Sequence, residues 1–419
     1  MLKTSVDYHK PRVFIHQIAQ ISAAGDDLTS GYHGLLLGQY HLKDVHDYSG
    51  KLLGVGYGYS PVTTKNIAAL QNIKEWRHSD DTVRALYVVS QQLNLDGLSR
   101  EDRQNTGVIV GSSRGASALL EQTISAYYQP KPPADQKAPF FTQFTIRSHT
   151  SPNTTSSATS SFLAQKLRLG GGHFSLASAC TSSLQSIGIG FKLLRCNMMS
   201  HALCGGVEAP LTPYVWQILK KAGVLSTKNG SPPLMAFGQN RSGMVPGEGA
   251  GLVLLSRREE PKATAEIIGY GSATEHAGSV GITRHAQGLQ KAINIALNEA
   301  GISAEQIDVL TIHGSGTRQG DGAEIMAIKE IFACFSGKVS LLISPWATGH
   351  TLGASGVLKL GWSIEALKQH GKLPTPPYEL DQKISGFRPL GLGKATYSCI
   401  LGLGFGGSAA ALVIKKINL

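Results

Sequence analysis

Long uninterrupted apolar runs are missing from this 419-residue chain. No window offers the roughly 18 charge-free apolar residues of a membrane-crossing helix without clustered glycines breaking it up. The closest stretch, YSCILGLGFGGSAAALVI (397–414), reads as strand, glycine turn and strand. The opening residues, MLKTSVDYHKPRVFIHQIAQ, also lack the apolar centre of a secretory signal. Both absences predict a soluble, cytoplasmic protein with no membrane span. Cysteine is sparse too: Cys180, Cys196, Cys204, Cys334 and Cys399 show neither CxxC pairs nor metal-ligand spacing, and their odd number fits no secreted disulfide framework. A reducing compartment without a metal site is the expectation. Charged residues make up only 16% of the chain, yet Lys and Arg outnumber Asp and Glu by 39 to 28, a net charge of +11. The basic residues are scattered, with no five-residue block and no basic motif interleaved with aromatics, so nucleic acid is a poor candidate partner. An acidic protein or a phosphate-bearing substrate suits the charge as well.

Glycine is abundant instead, at 49 residues, which suits tight turns and close backbone approaches in a globular enzyme. Two halves of the chain echo one another. PRVFIHQIAQISAAG (11–25) and ATAEIIGYGSATEHAG (263–278) each read as a strand ending in small residues, and TGVIVGSSRG (106–115) and DVLTIHGSGT (308–317) as β-branched runs ending in a glycine turn. ACTSSLQSIGIGFKLL (179–194) parallels GHTLGASGVLKLGWSIEAL (349–367), and GAGLVLLS (249–256) parallels GSAAALVIKK (407–416). Strands alternating with helices in this order predict two α/β units of similar topology, residues 1–260 and 261–419, joined by the polar RREEPK (257–262). YQPKPPADQKAP (128–139) and HTSPNTTSSATSS (149–161) read as solvated loops in the first unit, able to cover a partner surface or a substrate entrance.

Cys180 lies between a small-residue run and a segment in which Leu184, Ile187, Phe191 and Leu194 recur at helical spacing. A strand-to-helix turn there would aim free N–H groups at the thiol, an arrangement that lowers a thiol pKa; a buried packing cysteine is the plainer alternative. His313 and His350 sit in IHGSGTRQGDGAE (312–324) and ATGHTLGASG (347–356). Each follows an apolar or small stretch and precedes a glycine turn, which would bring both imidazoles to one end of the sheet. One thiol and two imidazoles without metal spacing suggest covalent acyl transfer followed by stabilisation of an enolate.

With ACTSSL around Cys180, GGVEA (205–209), GMVPGEGAGLVLL (243–255), HGSGTRQGDGAE, GHTLGASG and GFGGS (404–408), the chain resembles the β-ketoacyl-[acyl carrier protein] synthases, condensing enzymes of the thiolase superfamily. The motifs run in family order over nearly the whole chain. The resemblance implies a thiolase fold, two pseudo-repeated α/β halves layered α-β-α-β-α. It implies that Cys180 accepts the acyl group, that His313 and His350 support decarboxylation and condensation, and that the N–H groups of Cys180 and Phe405 form an oxyanion hole, with the Phe405 ring gating the acyl pocket. It also implies an acyl carrier protein as partner, a homodimer or a heterodimer with a ketosynthase-like paralogue, and no metal or redox cofactor. A non-catalytic chain-length-factor-like subunit is the rival reading, and such subunits generally lack the cysteine. A thiolase acting on acyl-CoA would need a second cysteine near GLGFGGS, which has none.

The departures are local. Where the family usually has a lysine five positions before the second histidine, this chain has Pro345, and where it has a glutamate nine positions after, this chain has Lys359. Either Lys359 returns a cation toward Asp321 and Glu324, or it is a solvated helix residue. Gly238 and Ala409 replace an acidic residue and an asparagine of the family. Arg114, in SSRGA, stands where relatives carry a small or apolar residue near the acyl pocket; it would read a polar acyl chain, clamp loop carbonyls or contact a second subunit.

Overall fold

The computed structural model describes residues 11–128, 150–227, 231–278, 281–335, 337–369, 372–387 and 395–417. Within them lie the strands β1 (Val13–Ser22), β2 (Leu42–His46), β3 (Leu52–Tyr57), β4 (Thr106–Gly111), β5 (His173–Leu176), β6 (His201–Glu208), β7 (Gly249–Ser256), β8 (Ala265–Thr274), β9 (Val309–Thr311), β10 (Ser340–Leu342), β11 (Tyr397–Gly404) and β12 (Ser408–Lys416). β2 and β3 form a separate hairpin, and the other ten share one sheet in the order β10-β9-β11-β12-β8-β1-β7-β6-β4-β5.

That order contains one five-stranded pattern twice. In β5-β4-β6-β7-β1 the strand β4 is parallel to β5 and β6, while β7 runs antiparallel to β6 and β1. In β10-β9-β11-β12-β8 the strand β9 is parallel to β10 and β11, while β12 runs antiparallel to β11 and β8. The two patterns meet where Val13–Ile15 face Ala265–Ile267. β6, β7 and β4 are buried along their whole length, and their near-continuous apolar sequences are those of strands covered on both faces.

Helices Ser182–Arg195 and Ser355–Lys368 pack on one another and on strands of both patterns, which makes them the central layer. A helix with no polar face has to be buried on every side, and every residue from Ser355 to Leu367 is buried. Close contact depends on a missing side chain: a Cβ on Gly356 would lie 2.4 Å from the Leu184 amide nitrogen. Helices Gln287–Ala300 and Arg318–Phe332 form one outer layer, with Gln287–Ala300 against β8 and β12, and Asp81–Ser90 and Ala158–Lys166 cover β7 and β4 on the other side. The architecture is the layered thiolase-type α/β fold of the sequence reading.

One sequence expectation is corrected here. Where it is described, the polar run 149–161 is a solvated loop only at residues 155–157, which are exposed, because Thr150–Thr154 and Ala158–Lys166 on either side are helical. Hydroxyls of these helices bond to carbonyls of the preceding turn, Thr154 to Thr150 at 2.9 Å and Ser160 to Ser157 at 3.2 Å. Ser160 is buried and also meets the Ser175 hydroxyl of β5 at 2.8 Å. The Pro-rich run 128–139 lies outside the described residues after Tyr128.

Candidate active site

Because the two central helices start at the same end of the sheet, the turns that precede them meet. Ala179–Thr181 leads into one helix and Leu352–Ala354 into the other, and the two turns touch. Ala179 (φ 51°) and Leu352 (φ 42°) both hold left-handed backbone, a conformation costing about 1–3 kcal/mol outside glycine. This strained geometry sets Cys180 at the helix start facing His350. His350 is braced by the GMVPGEG segment: its N–H donates to the Val245 carbonyl at 2.8 Å, and its own carbonyl accepts from Gly247 at 3.0 Å. His313 arrives from the end of β9, and its ring centroid lies 5.0 Å from that of His350, with the planes at 80°.

Both imidazoles are buried and neutral. Burial, with Lys359 nearby, lowers His350 to about 3, and burial followed by Lys359 and His350 holds His313 well below the ordinary histidine range. In each ring Nδ1 faces donors. The Leu352 N–H reaches Nδ1 of His350 at 3.3 Å, and the Lys359 ammonium lies 3.5 Å from Nδ1 of His313. An ammonium and a backbone N–H can only donate, so the ring proton sits on Nε2 in both. The site therefore offers two neutral N–H donors side by side.

Cys180 is buried, and its thiol is pushed up to about 12, chiefly by burial and then by Glu208; Lys359, Arg114 and a hydrogen bond from the Phe405 N–H act the other way. The lowered thiol pKa expected from the turn amides alone is thus corrected: loss of water outweighs them. The resting residue is a thiol with thiolate-favouring groups already in place. Cys180, His313, His350 and Phe405 line one cavity of about 400 Å³, together with Met244, Leu352 and Glu275, and Arg318 and Gln319 lie at its wall. Phe405 is half-buried, followed by Gly406 and Gly407 in left-handed backbone. A Cβ on Gly407 would lie 2.2 Å from the Glu275 carbonyl oxygen, so the turn beneath the Phe405 ring is sterically reserved for glycine.

The remaining predicted residues fall around this cavity. Asp321 accepts from the N–H groups of Phe237 (2.8 Å) and Gly316 (2.9 Å) and from the Ser315 hydroxyl (3.0 Å), and Glu324 from the N–H groups of His313 (2.5 Å) and Gly314 (2.9 Å). These carboxylates fix the loop that carries His313. The expected pairing with Lys359 is overturned, since neither carboxylate lies within 4.0 Å of its ammonium among the described residues. Five main-chain and hydroxyl donors already meet their need. The alternative of a solvated Lys359 fails too, because the side chain is buried, 3% exposed. The Pro345 ring packs at 3.4 Å from where a Cβ on Gly314 would be, filling space beside the His313 turn. Gly238 is crowded, a Cβ there lying 3.0 Å from Met235, which leaves little room for an acidic side chain. Arg114 is half-buried and does not line the cavity; its guanidinium forms no ion pair or hydrogen bond among the described residues, but its charge reaches Cys180.

Two organising side chains escape a reading by sequence. Glu208, at the end of β6 with no exposed surface, accepts from the Ser112 hydroxyl (3.0 Å), the Ser113 N–H (2.8 Å) and hydroxyl (2.6 Å), the Arg114 N–H (3.0 Å) and the Gly353 N–H (2.8 Å). It ties the turn after β4 to the turn that follows His350. The only acid in the apolar, glycine-rich run of GGVEA was the available signal. Glu208→Ala strands the buried Gly353 N–H and the part-buried N–H groups of Ser113 and Arg114, and is expected to cost about 2–3 kcal/mol, read as a lower midpoint in urea unfolding. Gln185 donates to Thr181 Oγ1 at 3.1 Å and Ser408 Oγ at 2.7 Å, and those two hydroxyls are 2.6 Å apart. This triangle locks the glycine turn after Phe405 onto the Cys180 helix; no periodicity marks it.

The beta-ketoacyl synthase N-terminal domain matches residues 70–261, and the beta-ketoacyl synthase C-terminal domain matches residues 264–379. The chain belongs to the beta-ketoacyl synthase family. Among curated members it is 27% identical over 428 residues to 3-oxoacyl-[acyl-carrier-protein] synthase 2 of Staphylococcus aureus (strain COL), covering 97% of this chain and 99% of that one. It is 26% identical over 424 residues to the synthase of the same name from Coxiella burnetii, covering 97% and 99%. Among solved structures, the ishigamide ketosynthase/chain length factor superposes with a TM-score of 0.80 at 21% identity over 98% of this chain and all of that one. The ketosynthase ApeO in complex with its chain length factor ApeC from Xenorhabdus doucetiae gives 0.76 at 23% over all of both chains. At these identities the structures carry the fold. No helix among the described residues of this beta-ketoacyl synthase is long and apolar enough to cross a membrane.

Proposed function

We propose that this beta-ketoacyl synthase catalyses decarboxylative Claisen condensation, with Cys180 as the acyl acceptor and His313 and His350 as the enolate-binding pair. The observation that carries the reading is the convergence, on one cavity, of the Cys180 thiol, the Phe405 turn and two neutral imidazoles whose Nδ1 atoms both face donors. The Cys180 sulfur attacks an acyl thioester, the N–H groups of Cys180 and Phe405 hold the oxyanion, and the thiol proton leaves with the departing pantetheine thiol. Malonyl thioester then loses CO₂, and its electron pair passes to an enolate oxygen held by the two Nε2–H donors. That carbanion equivalent attacks the acyl-Cys180 carbonyl, the C–S bond breaks, the β-keto chain leaves on the carrier two carbons longer, and the Cys180 thiolate takes a proton from water to regain its resting thiol. Each step has a side-chain or main-chain group to carry it, so the reading calls for no metal or redox cofactor.

An acyl carrier protein is the donor in this reading, supported by the names of the curated relatives and by a +11 charge suited to an acidic partner. A second ketosynthase-fold chain, identical or paralogous, is the proposed subunit partner. β5 ends the sheet, its outer edge is unpaired among the described residues, and Phe174 on it is 49% exposed. Five free cysteines suit a cytoplasmic setting. Intact-mass measurement with acyl- and malonyl-carrier protein tests the reading. An acyl adduct on this chain, followed by release of a β-ketoacyl product two carbons longer, is expected. No adduct, alone or beside a ketosynthase-like partner, would make the chain a non-catalytic partner subunit instead.

A further inference from the structure

We propose that Lys359 is a positioning residue that holds His313 with its ring proton on Nε2, so that His313 serves as a donor into the cavity. This rests on the condensing reading above for its consequence in rate, and on geometry alone for its effect on the ring.

Lys359 lies in the central helix Ser355–Lys368, and among the described residues its ammonium has two hydrogen-bond partners: the Leu401 carbonyl of β11 at 3.0 Å and Nδ1 of His313 at 3.5 Å. No carboxylate lies within 4.0 Å of it among the described residues. Enclosing an ammonium in a central layer without an ion pair is costly, and a methionine would fill similar volume without that cost. A purely structural account leaves this unexplained. Besides favouring the Cys180 thiolate, the charge acts directly on the His313 ring. It can only donate, and it donates toward the one ring atom whose occupancy decides where the His313 proton sits.

The titratable groups that face Lys359 are His313 beyond β9, His350 in the turn before its own helix, Glu324 on helix Arg318–Phe332 and Cys180 in the turn before the other central helix. Burial lowers Lys359 from the ordinary lysine value, while Glu324 and Cys180 pull it back. The sign follows directly. As pH rises, the ammonium loses its proton before an ordinary lysine would, and the constraint on His313 goes with it. Condensation by the intact enzyme should therefore show a basic limb below the usual lysine range.

The test is ¹⁵N NMR of histidine-labelled protein together with pH–rate profiles. In the intact enzyme, His313 should show an unprotonated Nδ1 and a protonated Nε2 near pH 7; the opposite tautomer would overturn the proposal without any variant. Lys359→Met should mix the two tautomers, lower malonyl decarboxylation by pre-acylated enzyme roughly 10- to 100-fold, and abolish the basic limb. Lys359→Arg, which keeps a non-titrating donor, should retain the tautomer and lose only the limb. A His313 ring unaffected in Lys359→Met, with the limb intact, would leave Lys359 a packing residue. Failure of the condensing reading would appear separately, as the absence of any acyl adduct in the intact enzyme, and would leave the tautomer measurement unaffected.

Discussion

Cys180→Ala should carry no acyl adduct after incubation with acyl-carrier protein and should lose condensation altogether, while Cys196→Ala and Cys204→Ala should still acylate. The five thiols differ in surroundings rather than in chemistry. Cys204 and Cys399 are buried with nothing near them to favour a thiolate, so burial alone raises both. Cys196 and Cys334 are exposed and do not line the cavity. Cys180 is buried as well, but Lys359, Arg114 and the Phe405 N–H all act to favour its charged form, and it alone opens onto the cavity. Its resting value near 12 makes it poorly reactive to small alkylating agents at neutral pH, with a rate that climbs as pH rises. An intact-mass adduct that persists in Cys180→Ala would remove it from the nucleophile's role.

The contrast between what the sequence discloses and what it hides follows the range of the interactions. Leu184, Ile187, Phe191 and Leu194 are all buried, as their spacing requires, because helical periodicity is a local property. Strand repeats such as 106–111 with 309–311 are visible for the same reason. The position of the cavity was legible through glycine-bounded motifs, since turns that approach a site closely leave a compositional trace. Charges were harder. Asp321, Glu324 and Lys359 invite pairing when only their signs are seen, but main-chain N–H groups carry no letter in a sequence and here they satisfy both carboxylates. The Ser/Thr run before Phe162 misleads similarly. Its hydroxyls find carbonyls within their own helices, and composition records polarity without recording where the hydrogen bonds go. The thiol of Cys180 adds a third case: proximity to a helix start was readable, the depth of burial that outweighs it was not.

His350→Ala should still accept an acyl group on Cys180 yet release CO₂ from malonyl-carrier protein roughly a hundredfold more slowly, the usual scale for deleting one preorganised oxyanion donor. The argument begins with tautomers. Nδ1 of His350 is held by the Leu352 N–H and lies 3.4 Å from the Ser355 hydroxyl, so only Nε2–H is free to meet an enolate. Deleting the ring removes that donor but leaves the Cys180 and Phe405 N–H groups, which hold the acylation oxyanion in the proposed mechanism. The neutral state of the ring gives an independent check. Because the His350 value is lowered to about 3, its imidazole gains no proton between pH 8 and roughly pH 5. His350 should thus impose no acid limb on decarboxylation by the intact acyl-enzyme across that interval. A histidine of ordinary pKa would instead impose a limb near 6.5. Stopped-flow measurement of CO₂ release from pre-acylated protein separates this step from loading, and unchanged release in His350→Ala would transfer the enolate to another donor.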